Sequence, residues 1–96
     1  MLSNNNLKKS QKLPEEINKI LAAKIRLIRK KQKISQQLLS KKSGVSYGSV
    51  KRFEQSGEIS LISLTKIAIA LDINLGLENL FEDKLLSIEE MTSEQN

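Results

Sequence analysis

The sequence predicts an all-α domain of five helices, and three observations lead there. Serines stand at 35, 46 and 60, each directly before a stretch with apolar residues at helical spacing, where an N-capping hydroxyl accepts from the unpaired N–H groups of the first turn. Glycines at 44 and 57 follow two of those stretches and supply the left-handed conformation that ends a helix. Apolar residues recur three and four apart through most of the span from Ile17 to Phe81.

The first helix is expected over 15–32. Pro14 suits a first turn because its missing N–H would be unpaired there, and Glu15 and Glu16 complement the positive helix end. Ile17, Leu21, Ile25 and Ile28 form its expected inner stripe, and Lys19, Lys24, Arg26, Lys30 and Lys31 occupy its other faces. The second helix, 36–42, turns Leu38 and Leu39 inward, and the third, 46–55, turns Val50 and Phe53 inward. In the fourth, 61–71, Leu61, Leu64, Ile67, Ala68 and Leu71 make one stripe, while Ile62, Ile69 and Ile73 make a second on nearly the opposite side. A last short helix is expected around "LENLFEDKLL", with Leu77, Leu80 and Phe81 packing inward. These elements define one domain, 14–86, between a flexible basic arm, 1–13, and a disordered acidic tail, 87–96.

Composition narrows the chemistry. The 96 residues contain no cysteine and no histidine, which removes disulfides, cysteine- or histidine-based zinc ligation, a Ser–His pair and a thiolate nucleophile. No Gly-rich phosphate loop occurs, so no catalytic activity, metal or cofactor is expected. "MLSNNNLKKSQK" lacks the apolar run of a signal peptide and no stretch approaches the roughly 18 apolar residues of a membrane span, so a soluble, cytoplasmic protein with no membrane partner is expected.

The net charge of +5 conceals a division. Residues 1–52 hold 14 Lys/Arg against Glu15 and Glu16, a net +12, whereas residues 53–96 hold Lys66 and Lys84 against nine acids, a net −7. A basic half of this kind suggests a polyanion-facing surface, with a solvated surface without a partner as its alternative. The span 35–55 bears on the choice. Two short helices joined across a glycine turn form either a plain αα-corner or a helix-turn-helix, whose second helix projects far enough to enter the major groove of DNA.

Residues 21–81 resemble the Cro/repressor-type, or XRE-like, helix-turn-helix family, a five-helix fold of bacterial and phage transcription regulators. The resemblance rests on Ser35 and Gln36, Leu39, "SGVS" at 43–46, Val50, Phe53 and Glu54, and "SLTKIAIAL" at 63–71. Ser40 stands where the family usually has alanine, and Asp72 where it usually has glycine after the fourth helix. The resemblance implies double-stranded DNA as partner and the third helix as the reading element, with Ser46, Tyr47, Gly48, Ser49 and Arg52 facing base edges. Arg52 is the strongest reader, since a guanidinium donates two bonds to guanine O6 and N7; a phosphate or intrahelical contact is its alternative. Tyr47 reaches a thymine methyl or a phosphate, or packs on the turn. Gly48 costs about 1 kcal/mol against alanine and removes a side chain from a position that touches DNA in the family. Gln36, Lys41, Lys42 and Lys51 are the expected phosphate contacts, and Lys8, Lys9 and Lys12 either follow the DNA backbone or solubilise the arm. Arg29 and Glu54 match a pair that links the first and third helices in relatives.

A homodimer on a palindromic operator is expected, because one recognition helix contacts few base pairs. Ile62, Ile69, Ile73, Leu75 and Leu77, with Leu85 and Leu86, are the expected interface. The segment from Gly57 to Phe81 also resembles antitoxins found beside HipA-like kinase toxins, which gives an alternative in which a kinase-like toxin is a second partner.

Overall fold

The structure, a computed structural model, describes residues 12–82. Its helices are α1 (Pro14–Lys31), α2 (Gln36–Ser43), α3 (Tyr47–Ser56), α4 (Leu61–Ala70) and α5 (Asn74–Glu78), with no strand among the described residues. The expected all-α, five-helix class holds. Lys8, Lys9, Leu85, Leu86, most of the expected arm and the whole acidic tail lie outside the described residues.

Each capping serine acts as its chemistry requires. Ser35 Oγ accepts from Leu38 N–H at 3.0 Å, Ser46 Oγ from Ser49 N–H at 3.1 Å, and Ser60 Oγ from Ser63 N–H at 3.1 Å. α1 has no capping hydroxyl; instead Glu16 Oε1 accepts from Leu13 N–H at 3.0 Å, and Pro14 occupies the first turn. Gly44 (φ 77°) and Gly57 (φ 83°) take the left-handed conformation after α2 and α3. Gly57 is constrained twice, since a Cβ there would lie 2.8 Å from the backbone carbon of Asn18 on α1. That approach brings the end of α3 hard against α1.

α1 packs on α3, α2 on both α3 and α4, and α5 on α4. Ala22, Ile25, Ile34, Leu39, Val45, Val50, Phe53, Leu64, Ile67 and Leu71 enclose a single core, against which Ile28, Ile59, Ala70 and Ile73 are half-buried. Phe53 at its centre is 1% exposed, and burial of such a side chain supplies about 1.5–3 kcal/mol. The turn between α2 and α3 is tied internally: Ser40 Oγ donates to Val45 O at 2.6 Å, and Val45 N–H donates to Ser43 Oγ at 3.1 Å. The serine in place of the family's alanine therefore stays small enough for the crossing and adds a bond across the turn.

Several expected core positions are not core. On α1 the buried line is Ala22, Ile25 and Arg29, and Ile17 and Leu21 are exposed. Small Ala22 allows close approach where Leu21, one residue and a quarter-turn away, would not. Leu38 is exposed because short α2 buries only Leu39, and Leu61 is exposed at the very start of α4.

The largest departure lies after α4. Asp72 adopts the left-handed conformation (φ 62°) that the family's glycine would supply, and Ile73 N–H donates back to Ala68 O at 2.8 Å. This reversal turns Ile73 onto the core instead of onto the outward stripe expected with Ile62 and Ile69. α5 consequently starts at once, at Asn74, and ends at Glu78, earlier than the expected 77–86. Leu80 and Phe81 are exposed, with Phe81 at φ 66°, a conformation that no helix continues through; Leu77 is half-buried.

Candidate nucleic-acid interface

α3 alternates between anchoring and presenting residues. Val50 (0% exposed) and Phe53 point into the core, and Tyr47, Gly48, Ser49, Lys51, Arg52 and Gln55 around them face outward. The helix is thus held from behind by apolar burial while a polar, cationic face stays open.

The outward residues are already organised. Ser46 Oγ donates to Ser49 Oγ at 2.9 Å as well as capping the helix, so Ser46 is committed to local bonding while Ser49 keeps its own O–H to donate outward. Lys51 Nζ lies 4.4 Å from the centre of the Tyr47 ring, one turn earlier, a cation–π contact worth about 0.5–1 kcal/mol at an exposed site. Gly48 has open space where a Cβ would stand, so nothing inside the protein demands a glycine there. Arg52 donates from Nε to Glu58 Oε1 at 2.9 Å and also from Nη2 to the same oxygen. Both side chains are largely exposed.

At the flank of α3, between its buried side and its open face, lies the ionic junction that ties it to α1 and α2. Arg29, 6% exposed, donates from Nε to Glu54 Oε2 at 2.7 Å, from Nη2 to Glu54 Oε1 at 2.9 Å, and from Nη1 to Ile34 O at 2.7 Å. Gln36 Nε2 donates to Glu54 Oε1 at 2.9 Å, and Arg26 Nε approaches it at 3.7 Å. One carboxylate therefore joins α1, α2 and α3. Burial alone would raise the Glu54 pKa, but hydrogen bonds from Arg29 and Gln36 and the charges of Arg29 and Arg26 outweigh it and hold the carboxyl below its ordinary value. The pair is bidentate, the geometry in which a buried guanidinium and carboxylate satisfy one another best.

Gln36, expected at a phosphate, uses one amide hydrogen on Glu54 and retains the other. It sits in the first turn of α2, beside backbone N–H groups that no helical carbonyl satisfies. Lys41 and Lys42 are exposed in the last turn of the same helix, where their charge also complements its negative end. Lys12 is exposed just before α1. Two shallow depressions run along the open side of α3, one lined by Arg26, Gln36, Lys51, Glu54 and Gln55, the other by Gly48, Lys51, Arg52, Gln55, Ser56 and Glu58.

Sequence reasoning missed Arg26, Gln55 and Glu58 in this region. Arg26 carries a signal in retrospect, since it lies one turn before Arg29 and so shares its face. Glu58 carries none of its own, because Gly57 announces the turn but not that the chain brings the carboxylate back beside Arg52.

Ile62, Ile69 and Leu75 are exposed, at 65%, 60% and 65%, away from the core. Among the described residues no helix is long and apolar enough to cross a membrane. The family model described as Helix-turn-helix (HTH_3) matches residues 25–77, more than half of the chain, from the middle of α1 into α5. No curated protein and no solved structure matches the chain.

Proposed function

We propose, for a chain that belongs to the XRE-type helix-turn-helix family of DNA-binding transcription regulators, that it is a repressor whose α3 reads a palindromic operator from the major groove, bound as a homodimer. The observation that carries this reading is the face of α3: Tyr47, Gly48, Ser49, Lys51 and Arg52 stand clear of the core while Val50 and Phe53 anchor the helix from behind. Arg52 reads guanine, Ser49 and Tyr47 touch neighbouring base edges or methyl groups, and Ser46 holds the start of the helix. Glycine at 48 lets the backbone approach the groove wall closely. Lys51, Arg26, Gln36 and the first-turn N–H groups of α2 hold phosphates, and Lys41 and Lys42 add charge at its far end.

Two substitutions separate reading from holding. Arg52→Ala is expected to cost about 1–3 kcal/mol for each half-site of a preferred duplex and to relax the preference at one base pair in each half, while Lys51→Ala weakens preferred and scrambled duplexes alike. Fluorescence anisotropy on both duplexes measures this. Equal losses on the two duplexes for Arg52→Ala would make Arg52 a phosphate contact and remove it from the reading face.

The dimer is supported by Ile62, Ile69 and Leu75, large apolar side chains grouped on the C-terminal part of so small a domain. With Ile73 packed on the core, the interface rests on these three and half-buried Leu77. Sedimentation is expected to give a mass near twice 10.8 kDa, and Ile69→Lys to shift it to one chain while weakening operator binding more than folding. A wild-type mass of one chain at tens of micromolar would overturn the homodimer, and if the chain then becomes compact on adding a kinase-like toxin, this face belongs to that alternative partner.

A further inference from the structure

The pairing of Arg52 with Glu58 has a geometry beyond that of an ordinary surface ion pair. A guanidinium has two edges able to form paired hydrogen bonds, one made by Nε and Nη2 and the other by Nη1 and Nη2. Glu58 Oε1 takes the first edge, with Nε at 2.9 Å and a second bond from Nη2. Nη1 and the remaining hydrogen of Nη2 are left pointing away from Glu58, an intact edge of the kind that spans guanine O6 and N7. The backbone of Glu58 is held: its N–H donates to Ser56 Oγ at 3.2 Å, and Ser56 Oγ donates to Arg52 O at 2.7 Å. The left-handed Gly57 turns the chain so that the carboxylate comes back beside the helix it has just left. The pair is exposed on both sides and contributes little to folding. Placed near phosphates, its carboxylate also repels DNA of any sequence.

We infer that Glu58 is a positioning residue for base readout, which fixes the Nε/Nη2 edge of Arg52 so that the Nη1/Nη2 edge is the one presented to the base. This rests on the reading role proposed for Arg52. A flexible arginine side chain loses rotamer freedom when it reads a base, and a neighbour that has already restricted it reduces that loss. The same carboxylate lowers binding to unselected DNA, so Glu58 widens the gap between right and wrong sequences from both directions.

Glu58→Ala and Glu58→Gln test this on the full chain, by measuring affinity for the preferred duplex, for the duplex with the Arg52-read guanine pair changed to A·T, and for scrambled DNA. Glu58→Ala is expected to bind scrambled DNA more tightly while its discrimination at that base pair falls about fivefold or more, the low end of what a bidentate contact is worth. Glu58→Gln keeps an acceptor oxygen and is expected to recover much of the discrimination while retaining the tighter scrambled binding. In the Glu58→Ala background, Arg52→Ala is expected to lose less discrimination than it does in the wild type. If Glu58→Ala leaves discrimination unchanged or raises it, Glu58 is a surface charge or a competitor of the base, and the inference is overturned while the DNA-reading function stands. A wild type that prefers no sequence overturns both.

Discussion

Glu54→Ala is expected to cost about 3–5 kcal/mol of folding stability and to lower Tm by about 12 °C or more. The Glu54 side chain is 3% exposed and its carboxylate accepts from Arg29 twice and from Gln36 once, so its removal leaves Arg29, whose side chain is 8% exposed, with only Ile34 O as partner. An uncompensated buried charge is what makes such a loss large. Exposed Glu82 provides the control, and Glu82→Ala is expected to stay within about 0.5 kcal/mol of wild type. The effect also has a signature in pH. Because the native pKa of Glu54 is depressed, the stabilisation is complete above the ordinary value of 4.5 and is lost as pH falls below that and through the native value. The difference between wild type and Glu54→Gln in thermal melts should therefore narrow on acidification. Equal melting of Glu54→Ala and Glu82→Ala would mean that the junction does not hold α3.

The affinity for DNA is expected to fall steeply with salt. Each phosphate neutralised releases counterions and contributes about −0.9 to the slope of log affinity against log salt. Arg26, Lys41, Lys42 and Lys51 give each chain several candidate contacts, and the proposed pair of chains on one operator would double them. A loss of about 10³-fold or more between roughly 50 and 200 mM salt follows if six or more phosphates are engaged. Lys51→Ala should reduce the slope by about 1 for each bound chain, about 2 for the two-chain complex, without changing which sequence is preferred. A slope near zero would separate binding from the basic face altogether.

The parts of this architecture visible in the sequence are those governed by local chemistry. Ser35, Ser46 and Ser60 marked helix starts because a hydroxyl next to unpaired N–H groups acts within a single turn, and Gly44 and Gly57 marked ends because the left-handed conformation penalises other residues. What failed to show depended on where separate elements meet. Leu21 and Ala22 differ by one position, and only the closeness of α1 to its neighbours selects the smaller residue for burial. Ile73 looked outward on an extended α4, but the reversal at Asp72 moved it to the core and started α5 early. The face of α3 was readable because period and caps fix it. The bonds of Gln36 to Glu54 and of Arg52 to Glu58 were not, since each joins residues from different sides of a turn.

The central claim is that the open face of α3 reads base sequence, and selection from a pool of random duplexes at about 0.15 M salt tests it most directly. With wild-type chain, the account predicts enrichment of two half-sites related by two-fold symmetry, their centres about 10 base pairs apart. Run in parallel, Arg52→Ala should enrich the same arrangement with one guanine position relaxed in each half. Recovery of duplexes with no shared motif would contradict the account, as would a motif that Arg52→Ala selects unchanged.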